Sequence, residues 1–295
     1  MVIEQFCNYL RYERNKSPLT VQNYASDLRA FEAYLAGLDE HQTLLSADSD
    51  LIRGWMESMM DKGNAATSVA RRLSAVRMFF RYAVRKGLVA KNPTQVVSCP
   101  KTEKPLPQFL KEDEVDRLVD WKETDGEPSY KEVRAHAIIT VFYETGMRLS
   151  ELTGLDDDSV DFTMCMVKVR GKGNKQRVIP FGKELSDVLE HYMTVRDANV
   201  ARKDHALFVT AKGCRMNSDQ VRYEVRKHVA MVSTLKKRSP HVLRHTFATA
   251  MLNHGAGIES IKKLLGHESV KTTEIYAHTT FEQLKRVYKQ AHPRA

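Results

Sequence analysis

Several side chains in the second half of this chain are of types that act on phosphate, and each sits in a short segment of its own. In T-G-M-R-L-S-E-L, Arg148 comes just after a glycine helix stop and near the start of the next helix, where backbone amides and a guanidinium could meet an anion together. Lys172 lies between two glycines in G-K-G-N-K, a sequence free to turn tightly and carry an ammonium into a groove. In S-P-H-V-L-R-H, Pro240 opens a helix, and His241 and Arg244, three apart, share one face of its first turn. The segment L-L-G-H-E-S-V-K-T-T-E-I-Y-A-H places His267 after a glycine and Tyr276 nine residues later, beyond the capping Ser269. Singly, each has an ordinary reading: a surface or capping arginine, a mobile turn lysine, a half-buried packing tyrosine.

His241 and His245 are four apart and invite a zinc reading. It fails on detail, because Val242 stands where H-E-x-x-H needs its glutamate and no nearby carboxylate or thiol completes a ligand set. No metal and no cofactor is expected.

The elements that must position these residues fall into two groups. From Thr20, Val21, Tyr24, Leu28, Phe31 and Leu35 recur at helical spacing, and the first hundred residues read as helical throughout. A helix over Thr67 to Lys86, stopped by Gly87, turns Leu73, Val76 and Phe80 inward. Nine basic residues and no acidic one occur from Lys62 to Lys101, and Arg71, Arg72, Arg77, Arg81, Arg85 and Lys86 are read from that strip as DNA-binding. The run S-C-P-K-T-E-K-P-L-P-Q-F-L breaks every period, so residues 99–110 are expected to be a linker between a domain at 1–98 and another at 111–295.

Beyond the linker the pattern is mixed. A helix over 131–145 is stopped by Gly146 and followed by a short one through Leu149 to Leu155. Met164 to Val169 and Gln176 to Phe181 read as a hairpin across Gly171 to Lys175, and Lys175 and Arg177 join the expected DNA contacts. Helices follow near 183–196, 217–232, 240–253, 258–264 and, amphipathically, 281–291. The predicted fold class is therefore mainly α, with a helical N-terminal domain and an α-rich second domain carrying a small antiparallel sheet.

Composition sets limits. With 46 basic against 37 acidic residues and a formal charge of +9, the chain suits a polyanionic partner. Cys7, Cys99, Cys165 and Cys214 form no C-x-x-C pair, which fits a reducing, cytoplasmic setting. No signal peptide or membrane span is expected, because charges are mixed through the start and no apolar run is long enough.

Arg148, Lys172, His241, Arg244, His267 and Tyr276, each inside its own signature and in this order, resemble the tyrosine recombinase (phage integrase) family, most closely its bacterial Xer subgroup. The resemblance runs the length of the chain, from S-P-L-T-V-Q-N-Y to the terminal H-P-R-A. Two local departures, Ala250 where many relatives have histidine and Met147 in place of leucine, touch no residue assigned to chemistry.

The resemblance implies that Arg148 and Arg244 clamp the scissile phosphate, Lys172 acts from the hairpin with Lys175 as fallback, His241 and His267 are the two histidines, and Tyr276 is the nucleophile. It also implies a SAM-like DNA-binding domain, a clamp around duplex DNA, and a homo- or hetero-tetramer on two DNA sites. In that tetramer helix 281–291 would dock into a neighbour, although its length and single apolar stripe permit packing on its own domain equally well, and a second recombinase and a DNA motor or accessory protein could take part. Such chemistry needs fixed cations more than a metal, because in-line attack loads charge onto nonbridging phosphate oxygens. A phenol with a pKa of about 10 must lose its proton as it attacks, with His241 the first choice of base and Lys172 the acid for the leaving 5′-oxygen. His267 would hold the phosphate or the tyrosine. A phosphotyrosyl ester conserves the bond energy, which agrees with the lack of a G-x-x-x-x-G-K-[ST] loop. Chromosome-dimer resolution leads; the rival readings are an integrase or invertase of a mobile or switchable element and a non-catalytic DNA-binding protein on the same fold.

Overall fold

The computed structural model describes residues 2–101, 107–120, 128–171, 175–266 and 277–294. The chain divides into two compact units, Met1–Pro105 and Leu106–Ala295.

In the first unit, α1 (Val2–Asn8), α2 (Pro18–Leu38), α3 (Ser49–Asp61) and α4 (Ala66–Arg85) enclose one core. Helix α2 starts where Ser17 accepts a hydrogen bond from the Thr20 amide (3.3 Å) and Pro18 takes the first turn, where its missing N–H costs nothing. Val21, Ala25, Leu28, Phe31 and Leu35 then bury one stripe, and Phe31 meets Trp55 of α3 at 4.8 Å between ring centroids. Helix α3 is capped by Asp48, which accepts from the amides of Asp50 and Leu51, each at 2.9 Å.

Tertiary packing changes the reading of the basic strip. Acidic partners absent from its own sequence arrive from α2 and from the turn after α1. Asp27, with its side chain only 6% exposed, takes a two-pronged bond from Arg71 (2.6 and 2.7 Å), and Arg72 Nε lies 3.9 Å away. Glu13 meets Lys86 at 3.4 Å and Arg85 at 3.9 Å, while Arg77 donates to the carbonyl of Val97 at 2.7 Å. The strip is therefore not an unrelieved row of charge. Arg71→Ala is expected to destabilise this unit by about 2–3 kcal/mol, since it leaves a buried carboxylate unpaired; the half-exposed arginine and nearby Arg72 keep the loss below that of a fully buried pair. Thermal unfolding of the variant measures it, and an unchanged midpoint would assign Arg71 to the surface alone.

The second unit is built around α6 (Tyr130–Thr145), which is buried on nearly every face. It packs against α5 (Glu112–Val119), α8 (Lys183–Asn199), α9 (Ser218–Val232) and α10 (Pro240–Asn253). A reciprocal cap between Ser129 and Glu132 starts α6, and Gly146 ends it in the left-handed region at φ 57°. A Cβ at Gly146 would sit 2.5 Å from Phe247, so glycine is required there by both backbone and space. The short α7 (Leu149–Leu152) follows; the sequence predicts helix through Leu155, but the chain turns at Gly154 and Asp156 bridges to Ala206.

The antiparallel sheet has the order β1 (Val160–Asp161), β2 (Met166–Arg170), β3 (Gln176–Pro180), with Val167 paired to Ile179 and Val169 to Arg177. The expected hairpin is present, closed by the Gly171 amide donating to the Lys175 carbonyl at 2.7 Å. Strand β1 is unforeseen: two residues carry no readable period, and pairing of Val160 with Val167 creates it.

After α11 (Ile258–Leu265) comes the closing helix α12 (Ala277–Ala291), which starts four residues before the predicted 281–291. The sequence resemblance seats this helix in a neighbouring protomer; in the single chain it is seated in its own domain. Tyr288 is buried with its hydroxyl 3.1 Å from Glu144 of α6 and stacks on His292 at 4.8 Å. Arg294 bridges Glu184, Asp116 (3.1 Å) and Asp120 (2.6 Å). Burial, with Glu184 nearby, pushes the Glu144 carboxyl up to about 8, and burial brings His292 down to about 3, so both are neutral at pH 7. Among the described residues no helix is long and apolar enough to cross a membrane.

Candidate active site

Three arginines from three elements converge on the C-terminal end of α11. A helix end leaves its last carbonyls without intrahelical partners and carries partial negative charge. Here three successive carbonyls are each capped by a guanidinium. Arg177 Nε of β3 donates to Leu264 at 3.1 Å, Arg244 of α10 donates to Leu265 at 2.7 Å, and Arg148 ahead of α7 donates to Gly266 at 3.0 Å. Arg244 also donates to the carbonyl of Gly146, the cap of α6, at 2.5 Å.

One carboxylate serves this cluster among the described residues. The Glu151 side chain is 0% exposed and accepts from the Arg148 amide (2.7 Å), Arg148 Nη1 (3.0 Å), Arg177 Nη2 (2.9 Å) and Arg177 Nη1. Burial pushes Glu151 up, but the hydrogen bonds and charges of Arg177 and Arg148 outweigh it and hold the carboxyl below its usual range. Sequence reasoning missed Glu151. Its signal was the capping-box spacing, three residues after Arg148 at the head of α7.

With three guanidiniums facing one carboxylate, the site keeps an excess of positive charge. Arg244 records it: burial, then the like charges of Arg148 and Arg177, lower its pKa to about 10. An anion held here would relieve that strain, and the forked donors of two arginines suit the oxygens of a phosphodiester.

His241 and Arg244 both lie on the first turns of α10, as their spacing predicts. Although His241 is an exposed residue, packing against its ring and then the positive charge of His245 and Arg244 lower its pKa. A base must be neutral to accept a proton, so the depressed pKa keeps His241 competent at neutral pH and extends that competence to lower pH. The rate of strand cleavage is therefore expected to fall only as pH drops below the ordinary histidine range, and His241→Ala should remove that acidic limb. A limb that persists in the variant would point to a different base.

Lys172, His267 and Tyr276 lie outside the described residues. Their flanks are well anchored. Lys175 is exposed beyond the hairpin closure, Gly266 ends α11 beneath Arg148, and α12 resumes at Ala277 and is fixed to α6 through Tyr288. The sequence reads Arg177 as a DNA contact, and the structure gives it partners within the chain. Its side chain is 16% exposed and its donors go to Glu151 and Leu264, because β3 runs inward past α7 and α11.

Comparison with known proteins agrees with this architecture. Residues 108–283 match the phage integrase family and residues 3–87 match the N-terminal SAM-like domain of phage integrases. The chain belongs to the phage integrase family and is a tyrosine site-specific recombinase. It is similar along its length to proteins named tyrosine recombinase XerC. That of Chlorobaculum tepidum is 35% identical, with 99% of this chain and 94% of the relative covered. That of Corynebacterium efficiens is 38% identical, with 99% and 91% covered. The fold is also that of the XerH site-specific recombinase bound to palindromic difH substrate in a post-cleavage complex. There the TM-score is 0.69 at 20% identity, covering 96% of this chain and 82% of that one.

Proposed function

We propose that this chain is a Xer-type recombinase that resolves chromosome dimers in the cytoplasm, cutting and rejoining duplex DNA through a 3′-phosphotyrosyl bond to Tyr276. The observation that carries the phosphate chemistry is the convergence of Arg148, Arg177 and Arg244 on the end of α11 around a single carboxylate among the described residues, that of Glu151. The length-wide similarity to XerC proteins supports the chromosomal role.

In this reading Arg148 and Arg244 turn donors toward the nonbridging oxygens of the scissile phosphate. Tyr276 Oη forms a bond to phosphorus while its proton passes to His241, and the P–O5′ bond breaks. Lys172 protonates the departing 5′-oxygen, and His267 hydrogen-bonds the phosphate or the tyrosine. Attack by a 5′-hydroxyl from the other duplex reverses these steps and reseals the strand without ATP. Four protomers on two sites, with or without a second recombinase, would bring the strands together under control of a motor or accessory protein. Helix α12 would first have to leave its own domain if it docks in a neighbour.

The test is to recover denaturant-resistant protein–DNA adducts from the native host and sequence the attached DNA. Adducts at a single chromosomal locus are expected. Adducts at the ends of a mobile element or at an invertible segment would replace chromosome resolution with integration or inversion.

A further inference from the structure

Of the three guanidiniums on the end of α11, the sequence assigns two to phosphate and leaves Arg177 as a generic DNA contact. Its geometry is that of neither. Arg177 reaches from β3, five residues past the hairpin lysine, and spends its fork on both oxygens of Glu151 and its Nε on Leu264. The same two Glu151 oxygens hold Arg148 by side chain and backbone. Gly266 lies flat against Arg177, and a Cβ there would come within 3.1 Å of its Cδ, Cζ and Nε. Hairpin, α7 and the end of α11 are thus tied by one side chain.

We propose that Arg177 is a positioning residue for phosphate binding, holding Glu151 and the last turn of α11 so that Arg148 is aimed before DNA arrives. This rests on the reading of Arg148 as a phosphate ligand. The physical reason is the donor balance. When Arg148 and Arg244 exchange carbonyl contacts for phosphate, the end of α11 keeps Arg177 as a cap. Glu151 likewise keeps at least three of its four hydrogen bonds, two from Arg177 and one from the Arg148 amide. Without Arg177, a fully buried carboxylate would be left with Arg148 as its one charged partner and would pull that guanidinium inward, away from substrate.

Lysine cannot reproduce the fork, because an ammonium is a point charge on a flexible stem. Arg177→Lys should therefore slow formation of the covalent adduct by about 100-fold, the scale of an ångström-sized misplacement, with DNA affinity within about threefold of the parent. The probe is a nicked duplex carrying the mapped site, made once with an ordinary scissile phosphodiester and once with a methylphosphonate, which lacks the nonbridging negative charge. If Arg177 acts through the phosphate clamp, the defect shrinks to within about threefold on methylphosphonate, where there is less charge to clamp. The doubly neutral Arg177→Met, Glu151→Gln protein should be no slower than Glu151→Gln alone, since the two act as one unit.

An unimpaired Arg177→Lys protein overturns the proposal, as does a defect equal on both substrates, which would mean general damage. A loss of affinity with a shallower salt dependence also overturns it, in favour of direct DNA contact. Arg148→Ala is run in parallel. If its own defect is equal on both duplexes, the phosphate reading of Arg148 falls, and Arg177 is then judged on the Glu151 cycle alone: non-additivity sustains a positioning role and additivity ends it.

Discussion

The Tyr276→Phe protein is expected to bind its DNA sites with unchanged affinity and to form no denaturant-resistant adduct. Removing the phenolic oxygen deletes the proposed nucleophile while leaving the ring in place, so the loss should be several orders of magnitude. The structure narrows the alternatives. Of the other tyrosines in the second unit, Tyr143, Tyr192 and Tyr288 are buried. Burial pushes the Tyr143 phenol up to about 12 and the other two higher still, which makes each a poorer nucleophile. Tyr130 donates to the carbonyl of Val209 at 2.7 Å. Tyr223 is 57% exposed, and Tyr223→Phe is the matching control. An adduct retained by Tyr276→Phe and lost by Tyr223→Phe would relocate the nucleophile.

Arg244→Lys is the second large effect expected, a loss of about 10²–10³ in cleavage rate. The guanidinium spans two carbonyls belonging to different helices, Gly146 and Leu265, and a single ammonium cannot span both while also reaching a phosphate. A further signature follows from the field at this position. Burial and two like charges already lower an arginine there to about 10, so a lysine, with a lower ordinary pKa, is driven lower still. Phosphate clamping needs the charged form. The residual activity of Arg244→Lys should therefore decline as pH rises from neutral to alkaline, while the parent stays charged across that range. A variant with parental rates, or one whose activity rises over that interval, would remove Arg244 from the clamp. Single-turnover adduct formation on a nicked duplex at several pH values reads both features.

What was legible in the sequence was local. The stripe of Val21, Leu28, Phe31 and Leu35, the stop at Gly146, the Pro240 helix start and the two strands around Gly171–Lys175 are each specified by residues within a turn or two of one another. Caps, periodicity and glycine stops act over such distances, so reading them needs no knowledge of the fold. The order of Arg148, Lys172, His241, Arg244, His267 and Tyr276 added the family and its chemistry.

Partnership is what sequence could not supply. Arg71 and Asp27 are 44 positions apart, Arg177 and Glu151 are 26, and Arg148 and Gly266 are 118. The basic strip of α4 looked uncompensated because its counter-charges come from other elements, and Arg177 looked like a surface cation because nothing near it announces a buried glutamate. Helix α12 shows a single apolar stripe that would suit its own core or a neighbour's equally well; the Tyr288–Glu144 contact and the three carboxylates around Arg294 are what seat it at home. The sequence determined which groups could act on phosphate and which helices carry them. Tertiary packing decided which cations are already occupied and where the unbalanced charge lies, because charge compensation depends on distances that only the folded chain creates.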